Sequence, residues 1–255
     1  MNERCRTLSL VAATMIASSP VFAIDPVAAE KQDHLTIGAG VFLQADPFLG
    51  SDDQVYPLPY VSARAGAFYI EATEAGLSTE LDDDGDVSVD GFVIARWTSG
   101  QDREKLTADA GARLSLDTAI GRFSIEHRRD ITGEFSGGES IVRWTGALRT
   151  GSVSFLPGMQ LSWLDRRTAD YMYGISAAQI ARMVAKGRST VLAPYRIDDD
   201  ALNFGADLSV FAEVAERLTL IGVVSATRLD GSIRANPGID RAWDIFASAA
   251  IAYDF

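Results

Sequence analysis

Apolar residues recur at every second position in long stretches of this chain, and the last such stretch ends on the final residue, Phe255. One alternating set reads Trp243, Ile245, Ala247, Ala249, Ile251, Tyr253 and Phe255. The other reads Asp244, Phe246, Ser248, Ala250, Ala252 and Asp254. A period of two belongs to a β-strand, whose successive side chains point to opposite faces. Trp243 and Tyr253 stand ten residues apart. At ~3.3 Å per residue and a tilt of ~40°, that separation covers ~25 Å along a membrane normal. This is the height of the apolar band of a transmembrane barrel, with an aromatic residue at each rim.

The alternation recurs in Leu35, Ile37, Ala39, Val41 and Leu43, and again over 87–97, 106–116, 142–148, 153–163 and 202–210. A soluble sandwich alternates too, but its strands are mostly about 5 or 6 residues long. Here the strands are longer and their connections come in two lengths. Short ones fall at 64–66, 119–121, 150–152 and 215–216; long ones at 46–53, 99–105, 132–139, 166–199 and 230–241. Barrels have short periplasmic turns and longer outer loops. The expected fold is therefore all-β, an antiparallel transmembrane β-barrel. The irregular stretch 67–86 decides the strand number. Read as two short strands, 67–74 and 77–81, it gives 12 strands with both termini in the periplasm; 10 is the alternative. Pro157 predicts a bulge or edge distortion in its strand, because proline cannot donate to the ladder.

The N-terminus does not follow this pattern. Two arginines and a glutamate within residues 1–6 precede an apolar run at 8–17 and then Val21-Phe22-Ala23. Charged, apolar and cleavage regions in that order make a secretory signal. The run is shorter than the ~20 residues a membrane-spanning helix needs. The expected organisation is a signal peptide over 1–23 cleaved after Ala23, an N-terminal periplasmic segment over 24–33, and a barrel domain over 34–255. The single cysteine, Cys5, lies in the signal, so the mature chain is expected to hold no disulfide and no thiolate site. Its removal takes away two arginines and one glutamate, moving the formal charge from −12 to −13. Nucleic acid is excluded as a partner on that balance, since its binding depends on neutralising phosphates with Lys and Arg.

The longest connection contains 176–186, SAAQIARMVAK. Its helix formers predict a short helix with Ser176 as N-cap, ended by Gly187. Such a loop folds into the lumen or lies across the mouth.

No constellation for catalysis stands out. The mature chain has two histidines, His34 and His127, and neither G-x-S-x-G nor H-E-x-x-H. A nucleophile needs an oriented base beside it, and both histidines read as rim residues. The run Asp82-Asp83-Asp84-Gly85-Asp86 resembles a calcium loop counted from Glu80, but the twelfth position is Gly91, where an EF-hand needs a bidentate Glu. It reads as a solvated acidic turn. No catalytic residue, cofactor or metal is expected. The predicted lumen face carries Asp90, Arg96, Asp109, Arg113, Asp117, Glu126, Arg128, Arg143, Arg149 and Asp207. Either these residues pair across neighbouring strands and fill a narrow barrel, or they line a water-filled path. Pairing is the favoured reading, and the balanced signs argue against strong ion selectivity.

Three segments carry a resemblance. Pro47-Phe48-Leu49-Gly50-Ser51-Asp52-Asp53 followed by Tyr56-Pro57-Leu58-Pro59-Tyr60, Asp170-Tyr171-Met172-Tyr173-Gly174-Ile175-Ser176-Ala177-Ala178-Gln179, and the terminal Ala252-Tyr253-Asp254-Phe255 resemble the MipA/OmpV family from about Leu35 to Phe255. Met172 departs from the family's more usual tyrosine pair. The resemblance implies an outer-membrane barrel set in lipid, without catalytic residues. A known member is a scaffold joining a lytic transglycosylase to a peptidoglycan synthase, so murein-synthesising and lytic enzymes are the expected partners. A small-solute channel and a surface adhesin are the alternatives. Within the motif, Pro57 and Pro59 predict a locally distorted strand, and Gly50 to Asp53 a tight outer turn.

Overall fold

The computed structural model describes residues 32–45, 47–49, 54–98, 105–185 and 193–255. The expected signal over 1–23, most of the segment 24–33, the turn 50–53 and Gly187 lie outside the described residues.

Thirteen strands make one antiparallel sheet: β1 (His34–Ala45), β2 (Gln54–Ala65), β3 (Phe68–Glu71), β4 (Glu74–Glu80), β5 (Val87–Thr98), β6 (Lys105–Thr118), β7 (Gly121–Asp130), β8 (Gly138–Thr145), β9 (Leu148–Thr150), β10 (Val153–Leu164), β11 (Ala201–Ala215), β12 (Leu218–Arg228) and β13 (Trp243–Asp254). Each pairs with its chain neighbours, except that β8 and β9 both lie on β10 and form one interrupted stave. The barrel therefore has twelve staves. It closes where β13 meets β1, in register from Thr36 with Asp254 to Ala45 with Ile245. Phe255 extends the seam, its amide donating to the Leu35 carbonyl at 3.0 Å. Closure pairs the first and last strands with each other, and such pairing is how β-structure satisfies its backbone in hydrocarbon.

The alternation decides which way each side chain points. Leu35, Ile37, Val41, Leu43, Ile245 and Ile251 are exposed on the outer wall, as lipid-facing residues should be. Trp163 and Trp243 mark one rim of that wall, and Phe123 and Tyr253 the other. The opposite parity fills the lumen. Phe42, Tyr60, Leu156, Phe211, Ile221 and Phe246 pack there into an apolar cluster, with Tyr56 and Leu58 against it.

The prolines act differently from expectation. β10 runs unbroken through Pro157, and the interruption falls on its partner: β8 stops at Thr145 and β9 resumes at Leu148, opposite the missing donor. Gly146 bridges the gap by donating to the Pro157 carbonyl at 2.8 Å. β2 is also undistorted, pairing with β1 continuously from Gln54 to Arg64. Its prolines sit where the ladder on the other side is missing.

The irregular stretch holds two strands, shifted slightly from the sequence reading. β3 and β4 form a hairpin that turns at Ala72, whose φ is 50°. This turn falls partway along the neighbouring strands: Ala72 donates to Val61 on one side, and Ala95 donates to Thr73 on the other.

Candidate functional site

The two ends of the barrel differ. One carries the tight turns 66–67, 119–120, 151–152 and 216–217, the acidic turn 81–86, and both ends of the described chain. The other carries the long connections, and by the rule of short inner turns it faces outward. Over this outer mouth lies α1 (Arg166–Tyr173). Asp165 caps it, accepting from the Thr168 amide at 2.8 Å. Apolar residues at 169, 172 and 173 put one face of the helix downward. Ala169, Met172 and Tyr173 join Phe48, Leu164, Ile197, Leu229 and Ile233 in a buried cluster across the mouth. Polar contacts fix its position. Asn236 donates through Nδ2 to the Tyr173 carbonyl at 2.6 Å, and Thr168 Oγ1 donates to the Gly138 carbonyl at 3.1 Å. Asn236 lies just beyond α3 (Gly231–Arg234), whose N-cap is Asp230.

The expected helix is α2 (Ala177–Ala185). It is capped reciprocally: Ser176 Oγ accepts from the Gln179 amide at 3.2 Å, and Gln179 Oε1 accepts from the Ser176 amide at 2.6 Å. It stands outside the mouth, beside a cleft of about 520 Å³ lined by Asp170, Tyr171, Gln179, Tyr195 and Arg196. The long connection thus covers the mouth through α1, a helix additional to the one expected over 176–186.

Beneath α1 the lumen is ionic. Arg96 donates to Asp109 at 2.9 Å and to Glu139 at 2.9 Å, and its Nη1 lies 3.2 Å from the Met172 sulfur. Glu139 also accepts from Arg128 at 2.6 Å and from the Ser162 hydroxyl. All of these side chains are buried. One level down, Arg113 is held by Glu74 at 2.8 Å, Glu126 at 2.8 Å and Asp90 at 3.5 Å, and its guanidinium stacks 4.8 Å from the Phe92 ring. Tyr69 donates to the same Glu74 at 2.6 Å. Arg143 pairs with Asp207 at 2.6 Å and with Gln160 at 3.0 Å, and Arg122 with Asp117 at 2.7 Å. Every charge predicted for the lumen faces it and pairs there, Arg149 with Glu213 at an exposed rim. Strand spacing accounts for this. Neighbours about 5 Å apart on the inner face let an arginine reach two staves, and buried charge in low dielectric is tolerable only when paired.

A cavity of about 590 Å³ follows this ionic wall. Its lining runs from Leu164 and Tyr173 under the cap, past Glu139, Arg128 and Arg113, to His34, Arg64 and Arg122 at the inner rim.

The histidines sit at the two rims. His34 bonds Ser62 Oγ at 2.9 Å, and His127 bonds Ser140 Oγ at 2.9 Å on the exposed outer wall. Asp82 closes the acidic turn, accepting from the Val87 amide at 3.0 Å. Glu74 and Glu139 were absent from the sequence reading, although they anchor the two ionic clusters. Glu74 lay in the irregular stretch and Glu139 at the end of an assumed loop.

Outside the membrane span, Asp230 has a distinct environment. Burial raises its carboxyl pKa, but the amide and hydroxyl of Ser232 and the amide of Leu202 outweigh that and hold it below the usual carboxylate range.

Comparison with known proteins agrees with this architecture. A family model described as MltA-interacting protein MipA matches residues 37–255. The MltA-interacting protein of Escherichia coli (strain K12) is 22% identical over 253 residues, covering 94% of this chain and 98% of that protein. The YiaT protein of Escherichia coli O157:H7, named for the outer membrane, is 22% identical over 241 residues, covering 87% and 91%. Among solved structures, the NanC porin aligns with a TM-score of 0.41 at 13% identity, covering 87% of this chain and 100% of that one. The barrel assignment itself rests on the chain's own closed ladder. This chain belongs to the MipA family of outer-membrane β-barrel proteins.

Proposed function

We propose that the protein is a non-conducting docking protein of the outer membrane, without chemistry of its own, that holds a lytic transglycosylase at the inner face. The observation that carries this reading is the asymmetry of the lumen. The outer mouth lies under α1 and its buried cluster, whereas the ionic cavity continues to the inner rim. A solute path needs both mouths; a docking protein needs only the inner one. The partner class comes from the name of the Escherichia coli relative. The short inner turns limit the contact area, so the partner engages the rim, where Ile120 and Asp83 are exposed. Export through a signal over 1–23, removed after Ala23, belongs to the same reading. N-terminal sequencing of the membrane-inserted protein should then begin at Ile24.

The decisive experiment is photo-cross-linking in intact cells from probes placed at Ile120 and Asp83. A covalent adduct with a lytic transglycosylase supports the proposal. Absence of any murein-enzyme adduct from both positions, or discrete conductance steps from the intact barrel in a planar bilayer, overturns it.

A further inference from the structure

The wall has a notch. β3 pairs with β2 only from Ser62 to Ala65, and β4 pairs with β5 only from Ser88 to Ile94. Beyond the turn at Ala72, β2 continues outward through Tyr60 to Gln54 with β1 as its ladder partner, and β5 continues through Thr98 with β6 as its partner. Among the described residues no ladder joins β2 to β5 across this space. The unpaired edge of β2 is ~20 Å long at ~3.3 Å per residue, and it lies in the outer half of the wall.

The sequence of β2 suits that edge. The Val61 carbonyl accepts from Ala72, so Val61 directs its backbone toward β3. Backbone groups alternate in direction along a strand, so Val55, Pro57 and Pro59 direct theirs into the notch. Two of these three positions have no N–H. A polypeptide strand adding here would lose alternate donors, which disfavours β-strand addition. In hydrocarbon, the same prolines lower the number of polar groups left without partners. Side chains on both sides of the strand are apolar. Val55, Pro57 and Pro59 are exposed on the lipid face. Behind them, Tyr56 and Leu58 are part-exposed and lean on the lumen cluster, with the Phe42 and Tyr56 rings 5.2 Å apart.

We infer that the notch between β2 and β5 is a lateral lipid site, which seats an acyl chain of an outer-leaflet lipid against Tyr56 and Leu58. The chain enters from the bilayer through the interrupted wall and covers apolar side chains that otherwise belong to the lumen.

The test is photo-cross-linking of the full chain in the outer membrane of cells fed an alkyne-tagged fatty acid. Benzoylphenylalanine is placed at Leu58, at lipid-facing Val55 as positive control, and at lumen-facing Val223 as negative control. Folding is read from the heat-dependent gel shift of a closed barrel. The site predicts tagged-lipid adducts at Leu58 approaching those at Val55 and several-fold above Val223. Labelling at Leu58 no higher than at Val223 overturns it. A covalent dimer or protein adduct at Leu58 also overturns it, because the edge would then be held by polypeptide. If the Leu58 variant does not fold, Tyr56 carries the probe and the same outcomes apply.

Discussion

Arg96 on β5 and Glu139 on β8 meet at 2.9 Å across the lumen, with two whole strands between theirs in the sheet. The contact works because Glu139 is shared: Arg128 on β7 donates to the same carboxylate at 2.6 Å. Replacing Glu139 by Ala leaves two buried guanidinium groups without their common acceptor. Breaking a buried pair this way costs about 3–5 kcal/mol. Urea unfolding of the detergent-folded barrel should show the loss. The R96M/E139M pair should cost less than the sum of its single changes, since the two residues act on one contact.

Removing α1 should open the barrel. The ends of the connection already lie together, the Arg166 amide donating to Asp200 Oδ1 at 2.8 Å, so a short Gly-Ser linker can replace 166–198 without pulling β10 from β11. The intact barrel is expected to be silent in planar bilayers and the deletion to give discrete steps. Silence from a folded deletion variant would show that α1 does not gate the mouth.

Asp230 ties acidity to the outer cap. Its folded pKa lies below the ordinary value because, against the cost of burial, it accepts from Ser232 and Leu202. A depressed carboxyl contributes stability above its unfolded pKa and loses it as pH falls through the folded one. Asp230→Ala should cost about 0.5–2 kcal/mol near neutrality, as other lost N-caps do. The gap to the parent should stay level from pH 7 to ~5 and narrow below ~4, close to the ordinary carboxylate value. Unfolding curves at a series of pH values will read it.

The acidic turn gives the docking proposal an ionic signature. Asp83, Asp84 and Asp86 are exposed at the inner rim. A partner meeting them should bind more weakly as salt rises past ~0.15 M, where screening sets in at ~8 Å. The D83N/D84N variant should bind more slowly and with a flatter salt dependence. Surface plasmon resonance of a lytic transglycosylase against nanodisc-held barrel measures both.

Gly40 faces the closing seam. A Cβ there would meet the Ala249 carbonyl oxygen at 2.1 Å and the Ala250 Cβ at 2.6 Å. Gly40→Val should therefore strain the β1–β13 pairing by about 1–3 kcal/mol, as overpacking does. A smaller gel-shifted fraction after refolding is the expected readout.

The parity of the strands was readable because lipid and lumen impose opposite chemistry on alternate residues. Leu35, Ile37 and Val41 could face only one way. The same parity placed Arg96, Asp109 and Arg128 together. It gave no pairing across more than one stave, so Arg96 with Glu139 depended on closure of the whole sheet. The turn at Ala72 escaped because the usual glycine, proline or asparagine is absent there. Pro57 and Pro59 predict a locally distorted strand, but β2 stays regular because they fall on its unpaired side. Which side was missing depended on the length of β3. Helix α1 did leave a trace, an Asp165 cap before Ala169, Met172 and Tyr173, but eight residues carry too little periodicity to stand out within a long connection.

The seam between β1 and β13 has a kinetic side. Thr36 and Asp254 touch although 218 positions separate them. β1 therefore stays unpaired along one edge until β13, the last strand of the sheet, is in place. Bringing such distant ends together carries the largest loop-closure entropy in the molecule. Assembly cannot run as a progressive zip from the N-terminus to a finished product. It ends in a single ring-closing event, and a nick or truncation of the final strand removes that event while leaving eleven staves intact.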